Sequence, residues 1–350
     1  MKDLKFLVRP NIQALEPYSS ARDEYKDTTN GTFLDANESP FNIPDNRYPD
    51  PHQEKLKMLL ARIKGIAPNC IFLGNGSDEA IDLIYRVFCN PQRDNVVSLS
   101  PTYGMYEVAA HINDVEYRSM PLDENFGFNA DRLLQLTNDR TKAIFLCSPN
   151  NPTGNLLPED QVMSVIRQFP GMVVVDEAYI DFASRPSLLK QLQKFPNLII
   201  LQTFSKAWGA AGIRLGMAFA HPDIISLMNK VKYPYNVNVL TQREAYSLLK
   251  EHFDVTKWVR IIVEEKIRVA EALRQLPFCQ HIYPSDANFL LVKMSDAQAI
   301  YDYLLSRHII VRNRTHTPLC TNCLRITIGS TADNTRLLAA LRQYTTSQSL

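Results

Sequence analysis

Between about residues 70 and 220, short apolar runs alternate with amphipathic stretches, and this alternation constrains the fold more than any other feature of the chain. The strand-like runs are 70–73, 96–99, 115–120, 143–146, 172–175, 198–202 and 216–220. Between them, 78–88, 103–112, 159–168 and 187–193 space their apolar residues as helices do. A strand that is apolar on both faces needs cover on both faces. The pattern therefore predicts an α/β fold with a mainly parallel central sheet flanked by helices.

Outside this region the pattern changes. Residues 1–45 show little periodicity and many turn formers, and read as an extended arm. A helix is expected over 52–64, which opens a large domain spanning 46–240. From 241 to 350 the chain reads as a smaller α+β domain. It has helices at 241–250, 255–276, 297–306 and 334–344, and strands at 289–292, 309–311 and 324–328. No linker rich in Gly, Ser or Pro divides the two, so they are expected to pack together.

Charge and cysteine narrow the function. Lys plus Arg total 38 and Asp plus Glu 37, a net charge of +1 that offers no global surface for nucleic acid or anionic lipid. The N-terminus lacks the apolar core and cleavage site of a secretory signal, and no apolar run approaches the about 20 residues of a membrane span. Six cysteines, mostly in apolar segments, fit reduced thiols and a cytoplasmic location. Cys320-Thr321-Asn322-Cys323 is the one close pair. His308 and His316 would have to complete a zinc site, at a spacing that matches no common finger, so no metal is expected.

Glycine is scarce, 12 of 350, and its placement is informative. Seven glycines fall in four stretches at expected strand ends: Gly74 and Gly76, Gly104, Gly154, and Gly209, Gly212 and Gly216. An eighth, Gly329, follows the strand that contains Arg325, whereas Gly31, Gly65, Gly127 and Gly171 read as ordinary turns. Ligands of open α/β sheets bind outside the carboxyl ends of the strands. The first stretch reads strand, GNGSDE, helix. A helix start behind small residues presents free N–H groups and a positive dipole end, which suits phosphate. Glu79 occupies the third glycine position of a dinucleotide fingerprint, and the Lys-Ser/Thr of a P-loop is missing. Asp176 ends a buried strand and could be a metal ligand, a helix cap or the partner of a heteroaromatic nitrogen. Lys206 lies between an apolar strand and a glycine-rich turn, a setting in which a lysine can be desolvated into a nucleophile.

These residues form a known pattern. Asn151-Pro152-Thr153-Gly154, Asp176-Glu177-Ala178-Tyr179, and Ser205-Lys206 with Arg214 eight residues on resemble the fold-type I pyridoxal phosphate-dependent aminotransferases of class II, and among them the histidinol-phosphate aminotransferases. Further matches are Arg9-Pro10-Asn11, Pro17-Tyr18, Leu34-Asp35-Ala36-Asn37-Glu38, Arg47-Tyr48-Pro49-Asp50-Pro51, the DEAYIDF run from Asp176 to Phe182, and Leu324-Arg325-Ile326-Thr327, all in family order.

The resemblance implies pyridoxal 5'-phosphate as cofactor, with Lys206 holding its aldehyde and later shuttling the proton. It implies that Asp176 pairs with the ring nitrogen, Tyr179 and Asn151 with the ring 3-oxygen, and that Tyr103 stacks on the ring face. Gly76, Ser77 and Asp78 would receive the cofactor phosphate together with Ser205 and Arg214. Tyr48 would reach the site of the neighbouring subunit, which implies a homodimer. Arg312 and Arg325 would bind the anionic end of the substrate, in a pocket lined by Tyr18 and Asn37, while Arg314 is expected to be an exposed loop charge. A guanidinium fork suits carboxylate and phosphate alike. The implied activity is ping-pong amino transfer between L-histidinol phosphate and 2-oxoglutarate in histidine biosynthesis. Alternatives are an aromatic amino acid aminotransferase, a threonine-phosphate decarboxylase, a non-catalytic pyridoxal phosphate-binding regulator, or a dinucleotide-binding oxidoreductase. Neither terminus has room for the DNA-binding segment such regulators usually carry, and Glu79 counts against the oxidoreductase.

Overall fold

The computed structural model describes residues 3–19 and 32–348, so Gly31 lies outside the described residues. Seven strands form the main sheet: β1 Ile71–Asn75, β2 Asn95–Ser100, β3 Glu116–Pro121, β4 Thr141–Cys147, β5 Met172–Asp176, β6 Leu198–Thr203 and β7 Leu215–Phe219. Their spatial order is β1-β7-β6-β5-β4-β2-β3. From β3 to β6 all neighbours are parallel, and β7 runs antiparallel to both β6 and β1. The reversal has a simple cause. Only a short loop with one 3-10 turn, Ala211–Ile213, joins β6 to β7, and a parallel return would need a longer crossover.

Successive side chains of the inner strands enter opposite faces. Ile144, Leu146, Val173 and Val175 belong to one core, while Ala143, Phe145, Met172 and Val174 belong to another. The helix Gly76–Phe88 covers the second face with Ile81, Ile84, Tyr85 and Phe88. Residues 4–14 are not an extended arm. Leu4–Leu7 and Pro10–Ala14 are short helices, and Leu7, Val8 and Ile12 are buried in the second core. Pro10 starts its helix with a fixed φ, and the Arg9 backbone N–H donates to the Val87 carbonyl at 3.0 Å. The periodicity of so short a segment was too brief to read.

The C-terminal sheet is antiparallel, ordered β10-β11-β9-β8, from β8 Cys279–Ile282, β9 Phe289–Met294, β10 Arg312–Asn313 and β11 Cys323–Thr327. β8 lacks an apolar run, as an exposed edge strand can. The strand expected at 309–311 forms later, at β10, where Arg312 pairs with Arg325. The segment 187–193 makes only a 3-10 turn, Leu188–Gln191. Two further helices, Ala130–Gln135 and Pro222–Val231, went unread. The long helix His252–Arg274 links the cores: Val255 packs in the first and Val269 in the third, beneath the small sheet. β9 does the same, with Leu291 in the first core and Leu290 and Val292 in the third. Among the described residues no helix is long and apolar enough to cross a membrane.

Candidate functional site

The carboxyl ends of the parallel strands open into one cavity of about 620 Å³. β5 ends on Asp176, β6 leads through Thr203 to Ser205 and Lys206, and β4 leads through Cys147 to Asn151. β2 runs into Thr102 and Tyr103. Of the residues expected at the site, Gly76, Ser77, Asp78, Tyr103, Asn151, Asp176, Tyr179, Ser205, Lys206, Arg214, Arg312 and Arg325 all line this cavity. Tyr18, Asn37 and Tyr48 do not. Tyr18 and Asn37 are exposed, and Asn37 adopts a left-handed backbone with φ 56°. The Tyr48 ring stacks on Tyr235, with centroids 4.5 Å apart.

One wall is built for an anion. The helix Gly76–Phe88 begins at the cavity, and no side chain caps its first turn. The Gly76 N–H donates to the Arg214 carbonyl at 2.8 Å, which carries the Arg214 side chain to the helix start. This contact depends on two glycines. Gly76 has φ +70°, and a Cβ on Gly216 would sit 2.1 Å from the Gly76 carbonyl carbon and the Ser77 nitrogen. Gly216→Ala is therefore expected to push the helix start off β7. It should lower stability by about 1–3 kcal/mol and weaken phosphate binding at this wall. Thermal unfolding and cofactor titration check both effects. Of the other glycines singled out, only Gly104 faces the cavity, and Gly329 caps a turn elsewhere by donating to Asn334 Oδ1.

Asp176 is the polar centre, only 2% exposed. Its Oδ1 accepts from the Ala178 N–H at 3.0 Å, and its Oδ2 accepts from the Tyr106 hydroxyl at 2.7 Å. Burial pushes its carboxyl up to about 6, against the pull of these donors. Tyr106 was not singled out by sequence. It sits in a helix at an apolar position, and only the fold reveals that its hydroxyl faces Asp176. Lys206 Nζ lies 5.5 Å from the centre of the Tyr179 ring. Burial first and then the Arg325 charge hold its ammonium below the usual lysine range. The Tyr103 hydroxyl donates to Asp78 Oδ1 at 3.0 Å, and Arg214 Nη2 lies 3.8 Å from Asp78 Oδ2.

The opposite wall is cationic. Arg325 Nη1 donates to Asn151 Oδ1 at 2.5 Å, and its guanidinium rests 5.3 Å from the Phe289 ring centre. Arg314 joins it, contrary to the expectation of a solvated loop charge, and is more buried than Arg312. The reason is the pairing of β10 with β11. Arg312 stands opposite Arg325, and the chain then turns back so that the Arg314 N–H donates to the Cys323 carbonyl at 2.8 Å. The Nε atoms of Arg314 and Arg325 are buried without a hydrogen-bond partner among the described residues. Burial first, and then a neighbouring charge, Arg312 for Arg314 and Arg314 for Arg325, depress both guanidinium pKa values. Unpaired buried donors of one charge call for an anion.

The two walls together suit a phosphorylated heteroaromatic aldehyde. Its phosphate would meet the helix start with Ser205 and Arg214, its ring nitrogen Asp176 and its carbonyl carbon Lys206, leaving the arginine wall for a second anion. Among the described residues no group of three or more His, Cys, Asp or Glu side chains could hold a metal ion. Cys320 and Cys323 are buried free thiols.

Comparison with known proteins gives the family. The family model described as aminotransferase class I and II matches residues 39–341. The chain is 56% identical over 344 residues to the histidinol-phosphate aminotransferase of Bacteroides thetaiotaomicron, which covers 98% of this chain and 99% of that one. It is 49% identical to the enzyme of the same name from Cytophaga hutchinsonii, over 97% of this chain and 99% of that one. Among solved structures, histidinol-phosphate aminotransferase from Sinorhizobium meliloti in complex with pyridoxal-5'-phosphate superposes with a TM-score of 0.79 at 26% identity, covering 86% of this chain and 84% of that one. L-threonine-O-3-phosphate decarboxylase from Porphyromonas gingivalis shares the fold, with a TM-score of 0.73 at 23% identity over 86% of this chain and 91% of that one.

Proposed function

Because the chain belongs to the class I and II aminotransferases, we propose that it is a pyridoxal phosphate-dependent histidinol-phosphate aminotransferase of histidine biosynthesis, with glutamate and 2-oxoglutarate as the second pair. One observation carries the reading. A cradle for a phosphorylated heteroaromatic ring and a cluster of arginines with unpaired donors face each other across one cavity.

When bound, pyridoxal 5'-phosphate supplies an electron sink for the pair left on the substrate α carbon. The chain does the rest. Ser77 and Asp78 would present their backbone N–H groups at a positive helix end, behind Gly76, whose own N–H is taken by the Arg214 carbonyl, and Ser205 and Arg214 would add a hydroxyl donor and a charge for the cofactor phosphate. Asp176 would hold a proton on the ring nitrogen, and Tyr106 and the Ala178 N–H hold Asp176 in place. Tyr179 and Asn151 would hydrogen-bond the ring 3-oxygen, and Tyr103 would cover the ring face. Lys206 would hold the cofactor's carbonyl carbon, and as a free amine its Nζ would carry the proton from the substrate α carbon to that carbon, on the far side of the transferred nitrogen. Arg312 and Arg325 clamp the anionic end of the substrate, phosphate in one half-reaction and carboxylate in the other. The arginine wall favours this reading over an aromatic amino acid aminotransferase, which would have no second anion as large to place.

The proposal extends to assembly and organisation. Residues 46–240 hold the cofactor and 241–350 form the small domain, with the Val239–Lys250 helix packing Ala245 and Leu249 on the first core. A homodimer is supported by the large apolar side chains left exposed at Phe41, Ile43, Tyr48, Tyr233 and Leu240. Tyr48 would cross the interface to the partner's cofactor phosphate, and Tyr18 and Asn37 would join the substrate pocket only when the arm is seated by the partner. Glu38 supports this by accepting from the Tyr48 N–H at 2.6 Å while pairing with Arg47, also at 2.6 Å. Six free thiols fit a reducing cytoplasm.

The test is spectroscopic. Adding L-histidinol phosphate to the purified enzyme is expected to bleach the visible cofactor band, and 2-oxoglutarate should restore it. L-phenylalanine and L-threonine phosphate should do so far more slowly. Faster bleaching by phenylalanine, or release of carbon dioxide from threonine phosphate, would overturn the substrate assignment.

A further inference from the structure

We infer that Arg314 is a specificity-determining residue, a third guanidinium that makes the cavity prefer a phosphate ester over a single carboxylate. The inference rests on the phosphate-ester reading above and adds a residue to it. A carboxylate carries one charge on two oxygens, and one guanidinium fork can satisfy both. A phosphate monoester carries about −1.5 to −2 charges on three terminal oxygens at neutral pH. Arg312 and Arg325 stand opposite one another on β10 and β11 and are enough for the first. Arg314 lines the same cavity with a buried Nε that no described residue accepts from.

The groups facing Arg314 are Arg312, Arg325, Tyr179 and the Cys320 thiol, none of which supplies a carboxylate. The two acids of the cavity are engaged elsewhere, Asp78 with Tyr103 and Arg214, and Asp176 with Tyr106. The charge at Arg314 is thus left for a ligand.

The loop holding Arg314 is also fastened. Its backbone N–H donates to the Cys323 carbonyl, its carbonyl accepts from Thr317 at 2.8 Å, and Thr317 in turn accepts from Cys320 at 3.0 Å. Cys320 and Cys323 are fully buried, and burial pushes their thiols up to about 12 and about 11. At neutral pH they are uncharged apolar anchors. The close cysteine pair that matches no metal site thereby gains a role: it pins the turn that aims Arg314 at the substrate. A guanidinium already in place costs little ordering when its ligand arrives.

The experiment compares the cofactor-loaded wild type with Arg314→Gln and Arg314→Lys. It measures kcat/KM for L-histidinol phosphate and for L-glutamate, and the inhibition constant of inorganic phosphate against glutamate. Arg314→Gln is expected to lower the ratio of the two kcat/KM values at least tenfold and to raise the phosphate inhibition constant by a similar factor. Arg314→Lys should recover part of the phosphate inhibition. Equal losses for both substrates with a lowered unfolding temperature, or an unchanged ratio and inhibition constant, overturn the inference. If the wild type does not use histidinol phosphate, the functional reading fails on its own. The phosphate inhibition constant then decides for Arg314, and no change in Arg314→Gln rejects it.

Discussion

Lys206→Ala is expected to slow amino transfer by at least about 10³-fold, the upper range of what one positioned proton-transfer group supplies, and to shift the visible band of the bound cofactor to that of the free aldehyde. Two roles are lost at one atom. In the proposed function Nζ both holds the cofactor's carbonyl carbon and moves the α proton. The setting prepares it for both. Burial, and the Arg325 charge next, favour the neutral amine, while Asp176 and Asp78 oppose them. Lys206→Arg separates this from a need for mere positive charge. Arginine keeps the charge and cannot be deprotonated, so it should be as inactive as alanine. Neither variant should lose much stability, because the side chain is only partly buried and donates no hydrogen bond to the described residues that the fold depends on. Activity above about 1% of wild type in Lys206→Ala would remove this residue from the mechanism.

The large sheet was legible because each inner strand is apolar on both faces and short. Met172–Asp176 could hardly be anything else between two amphipathic stretches, and Leu198–Thr203 opens on four apolar residues before a glycine-rich turn. The acid and the lysine at their ends were legible for the same reason: a charged residue directly after a buried run stands out. What escaped reading depends on pairing across distance. Tyr106 looks like one more apolar residue of a helix, and its hydrogen bond to Asp176 spans seventy positions. Arg314 looks like a solvated charge because its burial is set by the register of a two-residue strand, which leaves almost no local pattern. The arm misled in the opposite direction. Leu7, Val8 and Ile12 are too few to show a period, yet they seal one end of a core. Tyr18, Asn37 and Tyr48 do not line the cavity that gathers the other candidates.

Asp176→Asn is expected to lower kcat by about 10²–10⁴-fold and, in the cofactor-free protein at pH 8, to raise stability. Activity falls because the amide cannot hold a proton on a ring nitrogen by charge, although it can still accept from the Ala178 N–H. The stability gain follows from linkage. Burial lifts the Asp176 carboxyl from 3.8 to about 6 in the folded chain. A folded-state pKa above the unfolded one means that the native protein holds the proton more tightly. The stabilisation is then complete below about pH 4 and is lost as pH rises through about 6. By pH 8 the buried carboxylate costs on the order of 2–3 kcal/mol relative to the unfolded chain. Asparagine, neutral at every pH, carries no such penalty. Thermal unfolding of the cofactor-free proteins should place the variant several degrees above wild type at pH 8 and level with it near pH 4. Bound cofactor should reverse the order at pH 8, since a cationic ring nitrogen is the partner the buried carboxylate lacks. Equal unfolding temperatures at pH 8 without cofactor would mean that Tyr106 and the Ala178 N–H already satisfy the charge. Asp176 would then gain nothing in stability from the ring nitrogen. A difference that grows with pH and changes sign on cofactor binding ties the least comfortable charge in the sheet to the chemistry it serves.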